Sequence, residues 1–151
     1  MLTDEIVRFF QKQQFTIVST VGRNRIPHNA CKGIVEINRN GKIYILDLYK
    51  GRTYTNLRQN PYISITAVDE HKFKGWCLKG KADIIAGKKI KPHVIRAWGK
   101  RIAGRITQRV IKNMLEEKGH HRHPESQLPS PKYMILVSVE EIVDLSPSHV
   151  K

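Results

Sequence analysis

Residues 15–48, FTIVSTVGRNRIPHNACKGIVEINRNGKIYILDL, decide the fold class because they alternate β-rich runs with turn signals. The run over residues 15–21 is rich in β-branched side chains of alternating polarity, and the GRNR that follows it supplies a turn. Residues 27–37 form a second extended segment. The next motif, Asn38-Arg39-Asn40-Gly41, is typical of a hairpin because Asn and Gly tolerate a positive φ. With a further strand over residues 42–48, the pattern predicts antiparallel strands joined by hairpins.

The chain beyond this stretch continues as strands around one short helix. This helix follows the third strand, is predicted over residues 52–60, and ends because Pro61 disfavours helical backbone before it. Gly75 and Gly80 indicate bulges or sharp coiling in the longest of the later strands. Those later strands are predicted over residues 62–68, 73–85 and 132–139. Five or six hairpin-linked strands in so short a chain favour an antiparallel barrel over a parallel sheet.

Two other segments have helical signals and flank the strands. Thr3 is a good N-cap, and the two acidic residues after it favour the positive end of a helix dipole. Pro92 suits the first turn of a longer helix with apolar residues every three or four positions. Gly99 and Gly104 weaken this helix, so the segment is either two helices or one kinked helix. We therefore expect a mainly β single domain with flanking helices and a basic helical and loop insertion at about residues 88–131.

Positive charge is concentrated in that insertion. The chain has a net charge of +14, and residues 87–123 contain eleven Lys and Arg but two acidic side chains. Such a segment attracts anionic partners, namely phosphate, nucleic acid or a membrane surface. The alternative is a solvated helix face that is basic for solubility. No helix-turn-helix pattern or set of base-stacking aromatics is present, so the sequence does not favour specific nucleic-acid binding.

Other features of the sequence point to a cytoplasmic protein. No apolar run is long enough to span a membrane, and charged residues interrupt the N-terminal segment where a secretory signal would need an apolar stretch. Cys31 and Cys77 are far apart and match no metal-binding spacing, so we interpret them as reduced thiols. The proline-flanked residues His120, His121 and His123 make a poor preformed metal site, and we predict no bound metal.

The junction between the strand at residues 42–48 and the next helix has the composition of a phosphate site. Gly51 permits close backbone approach, and the helix that begins at Arg52 or Thr53 has unpaired first-turn amides and a dipole that favours an anion. Arg52 adds a bidentate cation, and Thr53 adds a hydroxyl donor. The alternative is that Thr53 is a helix cap and Arg52 is solvated.

An ordered series of short motifs resembles one flavin-binding family. The series consists of FTIVSTVG, RIPHNACKG, GKIYILDL, GRTYTNLRQNP, YISITAV and FKGWCLKGKADI. In this order they are similar to the pyridoxamine 5′-phosphate oxidase-like split-barrel family. Arg52-Thr53, Asn56-Leu57 and Asn60-Pro61 match the family segment that has Lys in place of Arg52. The resemblance implies a split barrel that binds FMN noncovalently, in a homodimer with the cofactor at the subunit interface.

The resemblance also implies which residues contact the flavin. They lie on the early strand pair and at the helix start: Ala30, Cys31, Lys32, Gly33, Asp47, Leu48, Arg52, Thr53 and Asn56. A small residue and a glycine let a flat ring approach the backbone, and Lys32 places positive charge near the ring's pyrimidine side. Alternatively, Lys32 faces solvent, Cys31 is a small core residue and Asp47 orients a turn.

We find no nucleophile–base pair, so no catalytic residue is assigned, and any redox chemistry would be the cofactor's own. The first hypothesis is an FMN-dependent oxidoreductase or electron carrier that acts on a small molecule or a redox partner. The alternative is a split-barrel binding module without turnover. Such a module would hold haem or a deazaflavin, or would use the basic helix to bind nucleic acid or an anionic membrane.

Overall fold

The computed structural model describes residues 1–115 and 128–150, where three helices accompany seven strands. The helices are α1 (Asp4–Lys12), α2 (Arg52–Gln59) and α3 (Pro92–Met114). The strands are β1 (Thr16–Val21), β2 (Pro27–Lys32), β3 (Glu36–Ile37), β4 (Lys42–Asp47), β5 (Tyr62–Asp69), β6 (Lys74–Ala86) and β7 (Tyr133–Asp144). The expected class, mainly β with flanking helices, is confirmed.

One antiparallel sheet contains all seven strands in the order β2-β1-β5-β6-β7-β4-β3. β2 and β3 form its two edges, although residues 33–35 alone connect them along the chain. Because so short a connection spans at most about 14 Å, the sheet must curl until its two edges approach each other. Lys32 at the end of β2 reaches Asp47 at the end of β4, with 2.5 Å between Nζ and Oδ2. The curled sheet is the expected barrel, and this ion pair bridges its open side.

The extended segment predicted over residues 27–37 is two strands. β2 pairs with β1 as far as Lys32, after which the chain crosses to the opposite edge of the sheet. There the Val35 amide donates a hydrogen bond of 2.8 Å to the Tyr44 carbonyl, and β3 pairs with β4. Residues 27–37 have an extended pattern throughout, so nothing in the local sequence indicates that the paired strand changes after Lys32.

The later elements also differ in detail from the sequence prediction. α3 is one helix that continues through Gly99 and Gly104. β6 begins at Lys74 because Phe73 has a left-handed conformation, with a φ of 50°. β7 extends five residues beyond the predicted end at residue 139, because β6 is long enough to pair with the additional residues.

Gly80 allows β6 and β7 to cross at close range. The register between these strands shifts between Lys79 and Gly80, which confirms the bulge expected at Gly80. A Cβ at Gly80 would lie 1.9 Å from the Ser138 carbonyl oxygen, so no larger residue fits without backbone movement. At Gly75, by contrast, the β5–β6 pairing continues without a shift.

Two apolar clusters hold the helices against the sheet. The larger cluster fills the barrel interior and includes Phe10 of α1, which is fully buried. A smaller cluster of Leu46, Ile90, Val94 and Met134 anchors the start of α3 near β4 and β7, and Trp98 packs against it. Further along α3 the predicted apolar stripe becomes exposed, and its last member, Met114, is 78% exposed. Within the described part of the chain, no helix combines the length and the apolar character that crossing a bilayer requires.

Candidate functional site

The loop between β4 and α2 presents an uncapped helix N-terminus. Gly51 is the N-cap residue of α2, and no side chain caps the first-turn amides. The position that a Cβ would occupy at Gly51 has no neighbouring atom within 4 Å. The amides at the start of α2 are therefore accessible, and the helix dipole there favours an anion.

Arg52, the first residue of α2, is exposed beside these amides. Among the described residues, it has no hydrogen-bond or ion-pair partner. It lines a pocket of about 520 Å³ together with Arg23, Asn24, Asn56 and Gln59. No described residue in this lining is acidic, so two guanidinium groups and three amides face a common space. This arrangement suits a phosphate, which accepts several charge-assisted hydrogen bonds. We call it the Arg52 pocket.

The other two residues predicted at this helix start contribute differently. Thr53 is buried and is not part of the lining of the Arg52 pocket. Asn56 is also buried, and its Nδ2 donates to the Thr20 Oγ1 at 3.1 Å. Its Oδ1 lies 2.5 Å from where a Cβ at Gly22 would stand, so Gly22 lets α2 pack closely on the β1 end. Asn56 thus anchors α2 while it forms part of the pocket wall.

A second pocket, of about 420 Å³, lies where β2 and β4 end. Five of the residues predicted to contact the flavin ring line it: Cys31, Lys32, Gly33, Asp47 and Leu48. Ala30, which pairs with Val18, does not line this pocket. The other walls are largely apolar and include Phe15, Leu46, Trp98 and Ile102. A planar apolar group with a few polar atoms fits such a lining. We call it the ring pocket.

Lys32 and Asp47, which line the ring pocket, form a hydrogen-bonded trio with Tyr133, which is buried and is not part of the lining. Lys32 Nζ and the Tyr133 hydroxyl donate to the same Asp47 Oδ2, at 2.5 and 2.6 Å, and the Leu48 amide donates to Oδ1 at 3.0 Å. Burial, and secondarily the hydrogen bond to Asp47, raises the pKa of Tyr133 far above its ordinary value, so the phenol remains a donor. Because Asp47 pairs with Lys32, the positive field expected from Lys32 is largely compensated.

The basic helix α3 forms the opposite wall of the ring pocket. Trp98, Arg101 and Arg105 line it together with Ile102. Arg101 Nη2 donates to the Gln13 carbonyl at 3.0 Å, and Arg105 Nη2 donates to the Gln14 carbonyl at 2.5 Å. Burial lowers the pKa of Arg101. Two cations that the sequence assigned to a solvated or anion-seeking surface therefore tie α3 to the connection after α1.

Sequence reasoning missed Tyr133, Arg101 and Arg105. Trp98 is half-buried, packs on the smaller apolar cluster and also faces the ring pocket. Tyr133 meets Asp47 across 86 residues of sequence, through the β4–β7 register. No local pattern predicts a contact of that separation.

The described residues contain no group of three or more His, Cys, Asp and Glu side chains that could hold a metal ion. His120, His121 and His123, considered above as weak metal ligands, lie outside the described residues.

Comparison with known proteins identifies relatives of the whole chain. A family model described as pyridoxamine 5′-phosphate oxidase matches residues 2–145. No curated protein matches the sequence.

Several solved structures share the fold. HupZ of Group A Streptococcus is 19% identical, with a TM-score of 0.67 over 97% of this chain and 95% of that one. A putative pyridoxamine 5′-phosphate oxidase of Lactobacillus delbrueckii is 16% identical, with a TM-score of 0.62 over 94% and 93%. HutZ, the heme storage protein of Vibrio cholerae, is 21% identical, with a TM-score of 0.55 over 94% and 93%. At these identities the likeness establishes the fold alone.

Proposed function

The chain belongs to the pyridoxamine 5′-phosphate oxidase family, and from this premise we propose that it is an FMN-binding flavoprotein that acts as an oxidoreductase or electron carrier. The proposal places the phosphate of FMN in the Arg52 pocket and its ring in the ring pocket. The substrate is a small molecule or a redox partner of a class that the proposal leaves open.

The adjacency of two unlike pockets is the main support for this proposal. Leu48 and Tyr49 line the ring pocket, and Arg52, three residues after Tyr49, lines the Arg52 pocket. The two linings share no residue, but three residues of chain reach at most about 10 Å, so Tyr49 of one lining and Arg52 of the other lie within that distance. A ligand with a planar, largely apolar end and an anionic end suits the two linings. FMN has both, and its phosphate would meet an arginine that has no counter-ion among the described residues.

The residues of the two pockets have separate tasks in this proposal. Arg52 binds the phosphate, while Asn56 keeps α2 in place through Thr20. A Cβ at Gly33 would lie 2.9 Å from Arg105 Nη2, so a larger residue there would require the Arg105 side chain to move. Phe15 and Trp98 exclude water from the ring. When bound, FMN supplies the hydride or electron transfer.

We also propose that the protein is a cytoplasmic homodimer in which cofactor binding and dimerisation are coupled. Exposed apolar side chains occur on neighbouring strands of the outer sheet face, including Ile17 of β1, which is 46% exposed, and Val68 of β5, which is 58% exposed. Apolar side chains that are exposed on one face of a sheet can be covered by a second copy of the chain. Cys31 is exposed on the same face and remains a reduced thiol in that compartment.

Visible absorption spectroscopy tests the proposal directly. The purified protein is expected to be yellow, or to become so with micromolar FMN, and to release the flavin on acid denaturation. Size-exclusion chromatography checks in parallel that the protein is folded and dimeric. A folded dimer that fails to bind micromolar FMN contradicts the proposal. A haem or deazaflavin spectrum in the purified protein instead supports the alternative binding-module hypothesis.

A further inference from the structure

Lys32, Asp47 and Tyr133 form a network that bears on the redox properties of a bound ring. We propose that Asp47 and Tyr133 are positioning residues that hold Lys32 beside the flavin as a charge-compensated hydrogen-bond donor, and so limit how strongly the pocket favours the anionic reduced flavin. This inference rests on the proposed FMN function and extends it to the electrostatics of the ring pocket.

Lys32 has donor capacity that the protein does not use. Its side chain is 13% exposed, and its ammonium group donates one of its N–H bonds to Asp47. Within the described part of the chain, no other residue accepts from Lys32. Because Lys32 lines the ring pocket, acceptor atoms of a ligand there are its natural partners. A largely buried ammonium with unused donors is costly until such a partner arrives.

Asp47 is held more firmly than Lys32. Its two oxygens accept three hydrogen bonds, from Lys32, Tyr133 and the Leu48 amide. Tyr133 is itself 1% exposed and lies opposite Asp47 in the β4–β7 register. Its ring meets that of Tyr54 edge-on, with 4.9 Å between centroids. The carboxylate is therefore a fixed anchor, and Lys32 takes its position from it.

The pair acts on a ring as a dipole of no net charge. The field of two opposite charges 2.5 Å apart falls off faster with distance than the field of either charge alone. Removing Asp47's charge exposes the ammonium and stabilises an anionic reduced flavin, which raises the reduction potential. Removing the ammonium exposes the carboxylate and lowers the potential. If Asp47 and Lys32 had a purely structural role, replacing them would not shift the reduction potential in opposite directions.

The test compares the FMN-loaded wild-type protein with Lys32→Met, Asp47→Asn and the double variant. The reduction potential is measured against a redox dye of known potential. We expect Asp47→Asn to raise the potential and Lys32→Met to lower it, each by about a tenfold change in relative affinity for reduced and oxidised FMN. A tenfold change corresponds to about 30 mV for a two-electron couple. The double variant should return close to wild type.

The surface pair Lys79 and Glu141 provides a matched control. Its N···O distance is 2.9 Å, and neither residue lines the ring pocket. Lys79→Met and Glu141→Gln should leave the potential unchanged. If Asp47→Asn does not fold, Asp47→Ser, which also removes the carboxylate charge, takes its place and should likewise raise the potential.

Shifts in the same direction for both ring-pocket variants, or no shift in Lys32→Met with FMN bound, would overturn the inference. Failure of the folded wild-type protein to bind FMN is a different result, because it overturns the proposed function as well.

Discussion

Replacing Arg52 with alanine is the most direct test of the proposed phosphate contact. The variant should bind FMN less tightly than the wild type but bind riboflavin equally well, because riboflavin has the same ring and no phosphate. Arg52 has no internal partner within the described residues, so its removal should leave no buried acceptor unpaired in the free protein. The expected loss is therefore confined to the ligand phosphate.

The magnitude follows from the exposure of the arginine. A hydrogen bond to a charged group contributes about 1.5–3 kcal/mol. Because Arg52 is exposed, water and salt screen the interaction, and the lower half of that range applies. A loss of about 1.5–2 kcal/mol corresponds to roughly 10- to 30-fold in the Kd for FMN. The effect should shrink as the salt concentration is raised.

Flavin fluorescence titration measures both affinities in the same buffer. Arg58→Ala is the matched control, since Arg58 is an exposed arginine of the same helix that does not line the Arg52 pocket. Arg52→Lys should retain most of the FMN affinity, because lysine keeps the charge at a position where the family segment has lysine. Equal losses of FMN and riboflavin affinity would refute the phosphate contact and indicate that Arg52 supports the fold.

Three further predictions concern the fold and α3. Gly80→Ala should lower the free energy of unfolding by about 3 kcal/mol or more in chemical denaturation, because its Cβ would overlap the Ser138 carbonyl oxygen. Gly99→Ala lies in open space within α3 and should raise the free energy of unfolding by about 0.5–1 kcal/mol. Tyr133 should remain protonated at alkaline pH in the folded protein, so Tyr133→Phe should show the same tyrosinate absorbance as wild type until unfolding. Because the folded-state pKa is raised, the stability from Tyr133 is present below the ordinary tyrosine pKa and is lost at higher pH. Binding of unrelated oligonucleotides should be weak, indifferent to sequence and steeply dependent on salt, and tight sequence-selective binding at near-physiological salt would instead make α3 the functional surface.

Most of the fold was predictable because its signals are local. The Thr3 cap of α1 is observed, with the Ile6 amide donating to its hydroxyl at 3.3 Å. The turn at Asn38–Gly41 is also observed, and Gly41 has the positive φ that the motif requires. Caps and tight turns depend on backbone conformations within a few residues, which the sequence specifies directly. The division of residues 27–37 into β2 and β3 was not predictable, because both strands read as extended and differ in their distant partners.

The sequence by itself determined the antiparallel strand order along the chain, the start of α2 at Arg52 and the basic character of α3. The tertiary structure alone decided which of these residues share a pocket. It left Ala30 and Thr53 out of the pocket linings, paired Lys32 with Asp47, joined Tyr133 to Asp47 by a hydrogen bond and added Arg101 and Arg105 of α3 to the ring pocket. The physical reason is that side-chain propensities act over one turn or one hairpin, whereas the curl of the sheet and the β4–β7 register fix contacts between residues far apart in the chain.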